Sequence, residues 1–132
     1  MIAVGRPYPP LDVDRRTPRV TSIENQILYR FFLRGRNPVY FDNSRNGRLN
    51  SPNASFRVLY AAKRRVGAFA ETFLRSPGRT LLSRDLIDKK ALVRLKANRA
   101  LRLANLYGQG LAVLGATAEV TASAPPYDLS QA

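Results

Sequence analysis

The chain has 132 residues, 45% of them hydrophobic, and a formal net charge of +13 from 22 basic and 9 acidic residues. That describes one small globular domain with room for a single core, drawn to phosphate-bearing or acidic partners. With no cysteine and no histidine, disulfides, thiolate nucleophiles, nitrogen- or sulfur-ligated metals and Ser/His or Cys/His catalysis are excluded. Catalysis would rest on carboxylates, Arg, Lys, Tyr, Ser or backbone groups, a set suited to orienting a substrate and stabilising positive charge on it. Only Lys63, Lys89, Lys90 and Lys96 are lysines; the other basic residues are arginines, the better planar fork for phosphates and carboxylates. A solvated surface is the plainer reading of the same charge. No apolar run approaches the roughly 20 residues of a membrane span. The start MIAVGRPYPP lacks the pattern of a signal segment, so a cytoplasmic location is expected.

Residues 1–22 hold Pro7, Pro9, Pro10 and Pro18 among scattered charges and read as an extended arm; 23–132 form the domain. Ile27 to Leu33 is β-branched and aromatic enough for a buried strand, ended by Arg34-Gly35 and Asn37-Pro38. Arg30 stands in its middle, where a charge must be paired or must face a cleft. Asn43 to Ser55 is a turn-forming loop, with Asn46-Gly47 suited to positive φ and Pro52 unable to join a ladder. Phe56 to Ala62 follows as a predicted strand with Phe56, Val58, Tyr60 and Ala62 on one face.

Lys63 to Arg75 reads as a helix whose buried stripe is Val66, Phe69, Ala70, Phe73 and Leu74, stopped by Ser76-Pro77-Gly78. Glu71 falls on the flank of that stripe, and Gly67, four residues earlier, is expected to leave room beside the carboxylate. Ser83-Arg84-Asp85-Leu86 offers an N-cap and an early acid for a short helix. Ala91 to Leu95 and Arg99 to Leu106 read as strands, Gly108 to Leu114 as a short turn-helix closed by Gly115, and Ala116 to Thr121 as strand-like. Tyr127 to Ala132 opens like a helix. There is no internal repeat, no Gly-rich phosphate loop before Lys-Ser or Lys-Thr, and no dinucleotide fingerprint, so kinase and dehydrogenase readings have no support.

Gly47-Arg48-Leu49-Asn50, then Val58-Leu59-Tyr60-Ala61-Ala62, then Ala68-Phe69-Ala70-Glu71 resemble the "GRWN … vLYlA … AlaE" core of the RES domain, named for its Arg, Glu and Ser. Leu28-Tyr29-Arg30-Phe31 is similar to the family's early "lyRv" strand, Arg99 to Leu106 to its "rpLrLldL" strand, and Tyr127 to Ala132 to its "dYalsQaW" segment without the Trp. The resemblance covers roughly residues 27 to 132, in family order. Leu49 replaces the usual aromatic after the Arg. The family's Ser lies in a "GirYrS"-like strand after the last matched segment, so 23–132 is expected to be a RES-like domain without its C-terminal portion, and Ser130 does not take that role.

The resemblance implies an α/β, more closely α+β, fold with ADP-ribosyltransferase-like mixed sheets and flanking short helices. It implies an enzyme that consumes NAD as substrate, without a metal, by cleaving the nicotinamide–ribose bond: a glycohydrolase, a phosphorylase or an ADP-ribosyltransferase. Glu71, Arg48 and Tyr60 would be catalytic, and Arg30, Arg48, Asn50 and Tyr60 would bind NAD. The chain would be a bacterial toxin whose partner is an Xre-type antitoxin protein, with self-association left open and neither membrane nor direct nucleic-acid binding expected.

Singly, each of these residues has an ordinary reading. Glu71 with Arg75 makes a surface ion pair, Tyr60 is a core ring with its hydroxyl at the surface, and Arg48 is a solvated loop arginine. Two other functions compete. A basic nucleic-acid-binding module would weaken steeply with salt, but Phe31, Phe32, Phe56, Phe69 and Phe73 fall in core patterns and leave few rings for bases. An inactive fragment binding an acidic partner is the third.

Overall fold

The apolar run from Ile27 to Leu33 forms a strand against which a partner strand and a helix of its own unit pack. The computed structural model describes residues 10–44, 46–74 and 81–116. In chain order these hold a 3-10 turn (Val13–Arg15), β1 (Val20–Ile23), β2 (Ile27–Leu33), α1 (Arg65–Phe73), α2 (Arg84–Asp88), β3 (Lys90–Lys96), β4 (Leu101–Ala104) and α3 (Gln109–Val113). β1 pairs with β4 and β2 with β3, so antiparallel pairing and short helices make this an α+β fold. Two compact units divide the chain: one takes the described residues of 1–22, 42–58 and 102–132, the other those of 23–41 and 59–101.

In the second unit β2 and β3 run antiparallel in the register Ile27↔Lys96 through Leu33↔Lys90. Successive strand residues alternate faces, so Tyr29 and Phe31 share one side and Arg30 takes the other. α1 covers the Phe31 side. Phe31 meets Phe73 edge-on at 5.1 Å and Phe69 at 6.1 Å, while Phe69 and Phe73 are tilted at 4.8 Å. Such pairs add about 0.5–1.5 kcal/mol to their area burial, and Phe73 and Ala68 are each only 4% exposed.

The helix sits differently from its apolar pattern. Val66 is 70% exposed and Leu74 52%, where the sequence places both in the buried stripe. Val66 shares the azimuth of Phe73 to within about 20° but lies about 10 Å earlier along the axis. There β2 offers Tyr29, whose ring is already covered by the Arg65 guanidinium at 5.5 Å. The period gives the angle of a side chain but not how far the cover extends. Leu74 lies past the helix as its C-cap.

The predicted strand from Phe56 to Ala62 is not formed. Only two isolated bridges occur in it, Val58 with Asp42 and Ala62 with Tyr29, because its two ends pair with different partners and no continuous strand lies alongside. Phe56 is 54% exposed, outside the core its alternation suggests. The short helix after Ser83 is as expected: Ser83 Oγ accepts from Leu86 N at 3.2 Å. Arg34 then ties the end of β2 to the end of α2 by donating from Nε to Asp88 O at 2.7 Å and from its amide to Lys89 O at 3.0 Å.

In the first unit α3 ends at Gly115, which takes φ +71° while Ala116 N returns to Leu111 O at 3.0 Å, a left-handed helix stop. Leu111 is 3% exposed. The strand-like segment from Ala116 to Thr121, the segment from Tyr127 to Ala132 and the Glu71–Arg75 pair lie wholly or in part outside the described residues. Among the described residues no helix is long and apolar enough to cross a membrane.

Candidate functional site

The loop from Asp42 to Val58 is short of apolar anchors, and polar side chains hold it. Asp42 and Val58 close its neck by exchanging backbone hydrogen bonds, Asp42 N to Val58 O at 2.7 Å and Val58 N to Asp42 O at 2.9 Å. The Asp42 side chain then turns into the loop. Oδ1 accepts from Ser44 N at 3.0 Å, and Oδ2 accepts from Ser44 Oγ at 2.7 Å and Asn50 Nδ2 at 2.7 Å. Asn50 Nδ2 also donates to Ser44 O at 2.8 Å.

The Ser44 hydroxyl, and after it the Ser44 amide, hold the Asp42 carboxyl below the usual carboxylate range, with a smaller pull from Asn50; desolvation opposes them. The far half of the loop is built on Ser51. Its Oγ lies 2.6 Å from Asn53 Oδ1 and 2.9 Å from Ser55 Oγ, and accepts from Ser55 N at 3.0 Å. Asn50 and Ser51, 1% and 2% exposed, are the buried polar residues of the described chain.

Arg48 lies at the first corner of a turn closed by Asn50 N donating to Gly47 O at 3.1 Å, and is half-buried. Asn50, expected to touch a ligand, has both Nδ2 hydrogens engaged on Asp42 and Ser44. Tyr60, between the two isolated bridges, is 44% exposed. Glu71 is on the exposed side of α1. The gap left by Gly67 is not beside Glu71: a Cβ on Gly67 would stand 3.3 Å from the Ala62 Cβ, so the missing side chain makes room for Ala62.

Arg30 leaves β2 on the face opposite Phe31 and α1. Its Nη1 donates to Tyr40 O at 3.2 Å, while its buried Nε has no hydrogen-bond partner among the described residues. Burial lowers its pKa, but a guanidinium stays protonated near neutrality. The charge therefore stays on a guanidinium whose Nε is enclosed.

The structure thus brings Arg48 and Asn50 together in one loop and places Arg30, Tyr60 and Glu71 in the other unit. Within that unit Arg30 leaves β2 on the face away from Phe31, and Glu71 is exposed on α1. Sequence reasoning missed Asp42 and Ser44. An Asp two residues before a Ser is a turn signal, but nothing in the spacing ties Asp42 to Asn50, eight residues on.

The RES domain family model matches residues 27–132. No curated protein and no solved structure gives a significant match. That span takes in β2 with Arg30, the Arg48 loop, Tyr60 and α1 with Glu71, most of the chain, and on it the chain belongs to the RES domain family.

Proposed function

We propose that this protein cleaves the bond between nicotinamide and ribose in NAD. The family match over residues 27–132 carries the reading. The diphosphate of NAD is the kind of ligand that a loop arginine such as Arg48 would hold.

The chemistry suits a chain without histidine. When the C1′–N bond breaks, its electron pair goes to the pyridinium ring and nicotinamide leaves neutral, so no acid is required for the leaving group. Positive charge builds on the ribose, as in glycoside cleavage. In this reading the Glu71 carboxylate stabilises that charge at C1′ or through the 2′-hydroxyl, Arg48 and Arg30 hold phosphates or ribose, and the Tyr60 ring packs on the flat nicotinamide.

Water, phosphate or a protein side chain then takes C1′, which distinguishes glycohydrolase, phosphorylase and ADP-ribosyltransferase. The protein acts as a toxin, in the cytoplasm, held off by an Xre-type antitoxin. Chromatographic measurement of NAD consumption by parent and Arg48→Ala tests the reading. Consumption with a KM raised about tenfold or more in the variant is expected; equal KM values for the two proteins would remove Arg48 from the site.

A further inference from the structure

We infer that Asp42 is a positioning residue for Arg48, acting through the side chain of Asn50. The inference rests on the reading of Arg48 as a contact for NAD.

The turn that carries Arg48 is closed by the Asn50 amide on Gly47 O, so the direction in which Arg48 leaves the loop follows from where Asn50 is held. Asn50 is held by its side chain. A carboxamide nitrogen carries two hydrogens, and both are spent, on Asp42 Oδ2 at 2.7 Å and Ser44 O at 2.8 Å. At 1% exposure, water cannot readily replace a lost partner, and a buried donor left unsatisfied costs about 1–3 kcal/mol. Losing the carboxylate therefore moves Asn50 rather than leaving it in place.

Asp42 is itself fixed independently of its carboxylate, by the two backbone bonds to Val58. One residue closes the outer loop with its main chain and the inner loop with its side chain. Because Ser51 organises residues 51–55 by its own hydrogen bonds, release of the Asp42 carboxylate acts on residues 42–50, the half that carries Arg48. Small displacements there matter, since a shift of about 1 Å in a substrate-orienting group costs about 100-fold.

Steady-state NAD cleavage by the parent, Asp42→Ala, Arg48→Ala and the double variant tests this, with amide exchange across residues 46–51 and urea midpoints on each. Asp42→Ala is expected to raise KM about tenfold with a smaller change in kcat and to speed exchange of the Asn50 amide. The double variant is expected to be no worse than Arg48→Ala, because nothing is left to position. Asp42→Asn keeps the side-chain volume but turns one acceptor into a donor, and it serves as the second variant should the alanine fail to fold.

A KM equal to the parent's in Asp42→Ala, or a loss that multiplies with that of Arg48→Ala, overturns the inference. So does a lowered urea midpoint with unchanged KM, the mark of a merely structural role. Should the parent leave NAD intact, the NAD reading fails separately. The exchange arm then decides, and an Asn50 amide that exchanges at the parent's rate in Asp42→Ala overturns the positioning.

Discussion

Gly67 and Ala62 approach so closely that a Cβ built on the glycine would stand 3.3 Å from the Ala62 Cβ. Ala62 cannot easily retreat, because its amide and carbonyl are bonded to Tyr29 at 2.8 and 2.7 Å. Glycine inside a helix costs about 1 kcal/mol against alanine, so Gly67→Ala would stabilise an unencumbered helix. Here the crowding, about 1–3 kcal/mol for an added methyl in a tight site, outweighs that gain. A urea midpoint lowered by the equivalent of about 1 kcal/mol is expected; a raised midpoint would show that Ala62 gives way.

The displaced stripe of α1 predicts a contrast that the sequence pattern does not. Val66→Lys, at a position 70% exposed, should change stability by less than about 0.5 kcal/mol. Phe73→Ala, at 4% exposure and packed on Phe31 and Phe69, should cost about 3–5 kcal/mol. Denaturant melts of the two variants read this directly, and similar losses for both would restore Val66 to the core.

Arg30 predicts stability and function moving in opposite directions. Among the described residues its buried Nε lacks a partner, and its one side-chain bond, to the carbonyl of exposed Tyr40, is replaceable by water. Arg30→Met should therefore keep or raise the urea midpoint, by up to about 1 kcal/mol, while NAD consumption falls. A clear loss of stability would mean that Arg30 is held for the fold.

Asp42 sets an acid limit on its loop. Its folded pKa lies below the ordinary 3.8, so the stabilisation from the ionised form is complete above that value and is lost as pH falls through the lower folded one. Exchange of the Asn50 amide should stay constant from pH 7 to about pH 5, once corrected for intrinsic rates, and speed up only in stronger acid. Asp42→Asn should remove that acid step; a step persisting in the variant would assign it to another group.

The sequence made β2, β3, β4, α2 and α3 readable because local chemistry decides them: the apolar, aromatic-rich run of β2, the Ser83 cap, the Gly115 stop. The segment from Phe56 to Ala62 misled, since alternation signals a strand only where a partner strand runs beside it, and here Val58 and Ala62 bridge to different residues. That Arg48 and Asn50 share one loop is legible in their motif, but the part each plays in that loop is not. Burial decides it: Asn50 is enclosed and spends its amide on Asp42, while Arg48 is carried at the turn that Asn50 closes. The missing volume at Gly67 is legible in the sequence, but its neighbour is Ala62 rather than Glu71, because helix angle alone does not show what lies opposite.

Release of free nicotinamide from NAD by the purified protein, with Glu71→Gln measured beside it, tests the central claim most directly. The parent should release nicotinamide, and Glu71→Gln should do so at least about 100-fold more slowly at an unchanged urea midpoint. A folded parent that leaves NAD intact, or a Glu71→Gln variant that matches the parent's rate, would contradict the account.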